Sequence, residues 1–173
     1  MKFLSDLRLL LIGSWVGAAC FFIVVAQSAF AVLPARELAG ALVGRTLAIL
    51  NYSGIGVAIV LLLTSMIVAV GTRKVVLWTE RFLLLVLAAA CAVAQFVIAW
   101  WMLWVRTQMG RPIDEVPADD PLRAQFNNLH EYSSWALIAA MVAALLAFFI
   151  MANRKGKVSA KANDFDFNKQ FKI

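Results

Sequence analysis

The sequence predicts an all-α integral membrane protein, a four-transmembrane-helix bundle with both termini cytoplasmic. Three observations predict it. The chain of 173 residues is 63% hydrophobic and 15% charged, whereas a soluble domain carries nearer a quarter charged residues. Residues 9–33, 47–70, 82–105 and 133–152 form apolar runs that each approach or exceed the length of about 20 residues that a bilayer requires. The basic residues are sorted between these runs: the N-terminus, the 71–81 connection and the tail hold 2, 3 and 6 Lys or Arg, together 11, against 5 in the 34–46 and 106–132 connections. By the positive-inside rule the first set is cytoplasmic.

The apolar runs are helices because every backbone N–H and C=O inside hydrocarbon needs a partner within its own segment, and no two-residue alternation marks them as barrel strands. The first run is longer than a bilayer core, which predicts tilt or protrusion. Its basic start, and the Ala29, Phe30, Ala31 triplet that imitates a signal-peptidase site, invite a cleaved-leader reading. The apolar stretch of residues 9–26 exceeds the usual leader length, so a retained span is expected.

Pro34 fits the first position of a new helix, and residues 35–46 are expected to continue helically into the second span. Arg36, Glu37 and Arg45 place this piece at the outer interface. The short connection "GTRKVVLWTE" makes spans two and three antiparallel neighbours. The outer loop "RTQMGRPIDEVPADDPLRAQ" holds Pro112, Pro117 and Pro121, so it is largely non-helical before Leu122. Asp114, Glu115, Asp119 and Asp120 make it acidic and the best docking surface. Trp100, Trp101, Trp104 and Trp135 mark the outer interface and Trp78 the inner one; Trp15 lies deeper than an aromatic belt would put it. Residues 1–152 thus form one four-span domain. Residues 153–173 are expected to be a flexible cytoplasmic tail, with Phe165, Phe167 and Phe171 as scattered aromatics.

Glycine spacing suggests helix contacts. Gly13 and Gly17, then Gly40 and Gly44, each follow the small-xxx-small pattern that lets helices approach, either inside the bundle or along a homodimer seam. Gly54 and Gly56 follow within span two. Cys20 and Cys91 fall at similar depths without CxxC spacing and read as small buried hydrophobes.

Polar groups at membrane depth are functional hypotheses by default. They include Gln27 and Ser28, then Asn51, Tyr52 and Ser53, then Gln95 midway along span three, and His130 with Ser133 and Ser134. Arg123, Asn127, His130 and Ser134 recur at i, i+4, i+7 and i+11 and so share a helix face. If that face looks inward, Gln27, Asn51, Tyr52, Asn127, His130 and Ser134 form an outward-facing polar cluster. His130 then serves as a structural clasp, a ligand-binding or proton-linked group, or a metal ligand. If the face looks outward, His130 sits in headgroup water.

The inventory argues against several chemistries. A bis-histidine haem needs a second histidine, and a hydrolytic zinc site needs three protein ligands. A serine triad lacks an orienting acid at the right depth, since only Glu131 is near. No metal, cofactor or nucleic acid is expected; the net charge of +6 reflects topology signals.

Two stretches carry a family resemblance. "SWVGAACFFIVVAQSAFAVLPARELAGALVGRTLAIL" and "LRAQFNNLHEYSSWALIAA" resemble the transmembrane-protein-205-like group of small four-span proteins, whose bacterial members form a DUF4149-like domain of unknown function. The pattern F-x-x-L-H-x-x-S-S is met by Phe126, Leu129, His130, Ser133 and Ser134. Two positions depart from it: Gln27 follows Ala26 where relatives often carry Ala-Pro, and Glu131 stands where glycine is common. The resemblance implies a four-helix fold in a bacterial cytoplasmic (inner) membrane with both termini on one side. It implies little about activity. The expected function is therefore non-enzymatic, an accessory or interaction subunit of a membrane assembly, whose partners are the lipid bilayer and a membrane protein or a second copy of the chain. The alternative is a small-molecule or metal transporter or binding protein with an outward-facing pocket around His130.

Overall fold

A computed structural model describes the backbone of residues 2–67 and 74–163 and the side chains of residues 3–67 and 74–153. Residues 68–73, between the second and third spans, and the tail aromatics Phe165, Phe167 and Phe171 lie outside the described residues. The chain forms α1 (Lys2–Val32), α2 (Arg36–Ile67), α3 (Lys74–Ala92), a π-helical turn (Val93–Ile98), α4 (Ala99–Met109), a 3-10 turn (Ile113–Glu115) and α5 (Pro121–Asn163). With α3, the π turn and α4 stacked as one span, 4 helices are long and apolar enough to cross a membrane. The protein is a multi-pass integral membrane protein.

Local chemistry sets the helix ends. Proline disfavours helical geometry in the residue before it, and α1 stops at Val32, just ahead of Leu33 and Pro34. Pro34 stands outside α2 rather than at its first position, because α2 begins at Arg36 with the Ala35 carbonyl accepting the Ala39 N–H at 3.2 Å. As expected, α2 then runs unbroken into the second span. Gly110 ends α4 in the left-handed conformation, φ 62°, which costs glycine little because it has no Cβ. Asp120 caps α5: its Oδ1 accepts the Leu122 N–H at 2.8 Å, and Pro121 fills the first helical position, where no N–H is needed. α5 continues past Asn153 to Asn163. Ala and Lys are good helix formers and extend an already nucleated helix at little cost.

α1 packs against α2 and α5, and α3 packs against the same two helices. α1 and α3 therefore face each other diagonally across a four-cornered bundle. Each helix presents a seam of buried positions spaced by three or four residues, the spacing that keeps one face turned to its partners. In α1 the seam is Arg8, Ile12, Trp15, Ala19 and Phe22; in α3 it is Leu77, Glu80, Leu84, Leu87 and Cys91. α5 contributes Ala140, Ala143, Ala144 and Ala147, small residues that admit close neighbours. A second, separate cluster of Ile98, Val105 and Leu129 joins α4 to the start of α5. We refer to the end of the bundle bearing residues 110–120 as the loop end and to the other as the terminal end.

The tightest helix approach is at Gly54, where a Cβ would lie 2.8 Å from Cys91 Sγ and 2.9 Å from Trp15 Nε1. Trp15 is buried at this crossing and donates from Nε1 to the Leu50 carbonyl at 3.1 Å, which explains its depth: it belongs to the core rather than to an interfacial belt. Trp78, Trp100, Trp101, Trp104 and Trp135 are all exposed on the bundle surface.

Candidate functional site

The polar residues singled out from the sequence do not share one environment. Asn51 is buried at 2% exposure, whereas Gln27, Tyr52, Asn127, His130 and Ser134 are exposed. The histidine face of α5 lies beside its core seam rather than on it, because Leu129 and Ser133 are the buried positions there. A step of one residue turns a side chain by about 100° around the helix. Among the described residues, the side-chain hydrogen bond within the group is Ser134 Oγ donating to the His130 carbonyl at 3.0 Å, internal to α5. Tyr52 instead sets its ring edge-on to Phe96 of the π turn, with centroids 5.9 Å apart.

The glycines divide similarly. Gly13 meets the Phe148 ring, 3.4 Å from an ideal Cβ, while Gly17, Gly40 and Gly44 have nothing within 4 Å. Cys91 is buried and Cys20 exposed.

Sequence reasoning missed a charged pair at the terminal end. Arg8 Nη2 donates to Glu80 Oε1 at 2.5 Å and to the Leu61 carbonyl at 3.1 Å; the two side chains are 4% and 0% exposed. The pair joins the diagonal helices α1 and α3. Arg81 on the flank of α3 donates from Nε to Ser65 Oγ at 3.0 Å, and Ser65 Oγ donates to the Leu62 carbonyl at 2.7 Å. Three helices thus meet through charge and hydrogen bonds at this level. A buried ion pair gains strength from low dielectric but also loses hydration, so its clearest effect is to penalise any arrangement that separates the partners. The Arg8 Nε is buried without a partner among the described residues, so the guanidinium is held by one nitrogen's bonds rather than by a two-nitrogen fork. Glu80 falls on the seam Leu77, Leu84, Leu87, and Arg8 on the seam Ile12, Trp15, Ala19, a phase that only the packed helices reveal.

The loop end is braced from several sides. Arg106 Nη2 of α4 donates to Glu37 Oε1 of α2 at 2.6 Å, and Arg36 Nε lies 4.0 Å from Asp114 Oδ1. Arg123 Nη1 donates to the Val116 carbonyl at 2.5 Å, and Val116 is itself buried. The 3-10 turn closes with the Glu115 and Val116 N–H groups on the Pro112 and Ile113 carbonyls. Residues 110–120 therefore have a defined shape, with their carboxylates arrayed on the rim.

A model of one family, described as a domain of unknown function (DUF4149), matches residues 10–111. The chain belongs to the DUF4149 family. No curated protein and no solved structure gives a significant match. The DUF4149 match runs from early α1 to just beyond α4. It takes in Glu80, Asn51, Gln95 and the Trp15–Gly54 crossing, and stops short of the histidine-bearing stretch of α5.

Proposed function

We propose that this DUF4149 protein is a non-enzymatic accessory subunit of a membrane assembly, seated in a bacterial cytoplasmic membrane with both termini inside and the 110–120 loop as its docking surface. The observation that carries this reading is the bracing of that loop by Arg123–Val116 and Arg36–Asp114, next to the Arg106–Glu37 pair that ties α4 to α2. A pre-shaped surface binds without the entropy cost of ordering it on contact, and its exposed carboxylates favour a partner with a basic face. Single surface ion pairs contribute little each; the hydrogen bond from half-buried Arg123 to the carbonyl of buried Val116 is what fixes the loop's shape. Co-purification in a mild detergent, comparing the wild-type protein with an Asp114→Lys, Glu115→Lys, Asp119→Lys triple variant, tests it. A partner or second copy retained by the wild type and lost from the variant is expected, and a partner-free monomer refutes the proposal. Thiol labelling of Asp119→Cys from outside intact cells checks the orientation.

The transporter or binding reading draws support from Asn51, the buried member of the polar set. It requires His130 to contribute to a pocket, so uptake unchanged in a well-folded His130→Ala protein removes it.

A further inference from the structure

The π turn Val93–Ile98 interrupts the third span at the level of Asn51. Two contacts fix that register. Gly54 of α2 lies against Cys91, with 2.8 Å from an ideal Cβ to Sγ, and Tyr52 meets Phe96 at 5.9 Å between ring centroids. α2 and α3 run antiparallel, so Gln95 falls between the two contacting residues of the third span and Asn51 follows one residue beyond Tyr52, toward the same level. Asn51 is buried and Gln95 half-buried. Neither side-chain amide has a hydrogen-bond partner among the described residues.

A primary amide carries two donors and an accepting oxygen, and hydrocarbon leaves no solvent to satisfy them. The π turn adds to the demand. Its hydrogen bonds span five residues, as in the Ala99 N–H to Ala94 carbonyl bond. Where the helix returns to four-residue spacing, one carbonyl is passed over by the ladder. Turns of this kind recur at functional sites in helices. Two amides and a freed carbonyl at one level supply the two to four polar partners that an internal water requires.

We propose that Asn51, Gln95 and the π turn form an internal hydration site near mid-membrane, holding a neutral, water-sized ligand that donates and accepts hydrogen bonds. A cation fits less well, because Glu80, the acid of the α3 seam, lies fifteen residues before Gln95 along the stacked helices, roughly 22 Å away at 1.5 Å per residue. The site is distinct from the braced loop and does not depend on the docking proposal.

Water-edited solid-state NMR on the full-length protein in lipid bilayers tests it. The expected result is rapid magnetisation transfer from water to the Asn51 side-chain nitrogen, similar to that at exposed loop residues, while the backbone amides of the fully buried Leu61 and Leu87 remain slow. In an Asn51→Leu protein, transfer to the Gln95 side chain should fall severalfold. Transfer to Asn51 as slow as to Leu61 and Leu87 overturns the site, and the wild-type protein alone decides this if the variant does not fold. Undiminished transfer to Gln95 in a folded Asn51→Leu protein also overturns it, since Asn51 then plays no part in holding the water.

Discussion

Glu80→Gln removes one charge from the buried pair while keeping its volume and an accepting oxygen, so it isolates the cost of leaving Arg8 charged without a counter-ion. With the partners 4% and 0% exposed, solvent cannot take over the screening. The expected loss is about 3–5 kcal/mol, the range for breaking a buried pair from one side. At about 1.4 kcal/mol per tenfold, the middle of that range is roughly a thousandfold in the folding equilibrium. Arg8→Met exposes the converse, Glu80 deprived of the Arg8 charge, and also strips the Leu61 carbonyl of its 3.1 Å donor, adding about 1 kcal/mol. The double variant Arg8→Met, Glu80→Met removes both charges and should recover most of the loss, falling near the wild type or above it. Equilibrium unfolding in mixed micelles, followed by circular dichroism, measures all four proteins. Single variants that each cost under about 1 kcal/mol, the range for exposed pairs, would refute the assignment of this pair to the bundle interior.

Further predictions follow the same contacts. Gly54→Ala places a methyl 2.8 Å from Cys91 Sγ and should destabilise the protein by about 1–3 kcal/mol, whereas Gly17→Ala, with open space around it, should be neutral or stabilising by up to about 1 kcal/mol; thermal denaturation in detergent separates them. Trp15→Phe keeps most of the ring but loses the bond to Leu50, a cost of about 1 kcal/mol readable in the same assay. Cys91, buried beneath Gly54, should react with a thiol reagent only on unfolding; reaction in the folded state at the unfolded rate would contradict the packing.

The four spans were legible because length and apolarity alone distinguish them, and the chain's breaks at Pro34, Gly110 and Pro121 follow from backbone chemistry. Helix phase was not legible. Lipid-facing positions such as Leu63 and Phe149 are as apolar as core positions such as Leu61 and Leu87, so no amphipathic stripe tells inside from outside. This is why His130 and Ser134, on a shared face, read as core candidates although the core phase belongs to Leu129 and Ser133. It is also why Glu80 read as part of a connection: the apolar run begins at Phe82, yet the helix begins at Lys74 and carries the carboxylate onto its seam. The π turn left no sequence trace, since its residues are ordinary span residues. Gly54 was visible as one of several glycines, but only packing shows that it, rather than Gly40 or Gly44, marks the helix crossing.

The Arg8–Glu80 contact joins residues 72 positions apart in sequence, and that separation orders events during synthesis. Arg8 leaves the ribosome long before Glu80 exists, so α1 enters the bilayer with its charge unmatched and must keep it at the headgroups. Only when α3 arrives, opposite rather than adjacent, can the guanidinium move inward. The pair therefore forms late and reports that the first and third spans have both inserted. A chain in which either has failed cannot close this contact, so the finished pair marks a bundle whose two diagonal helices have met.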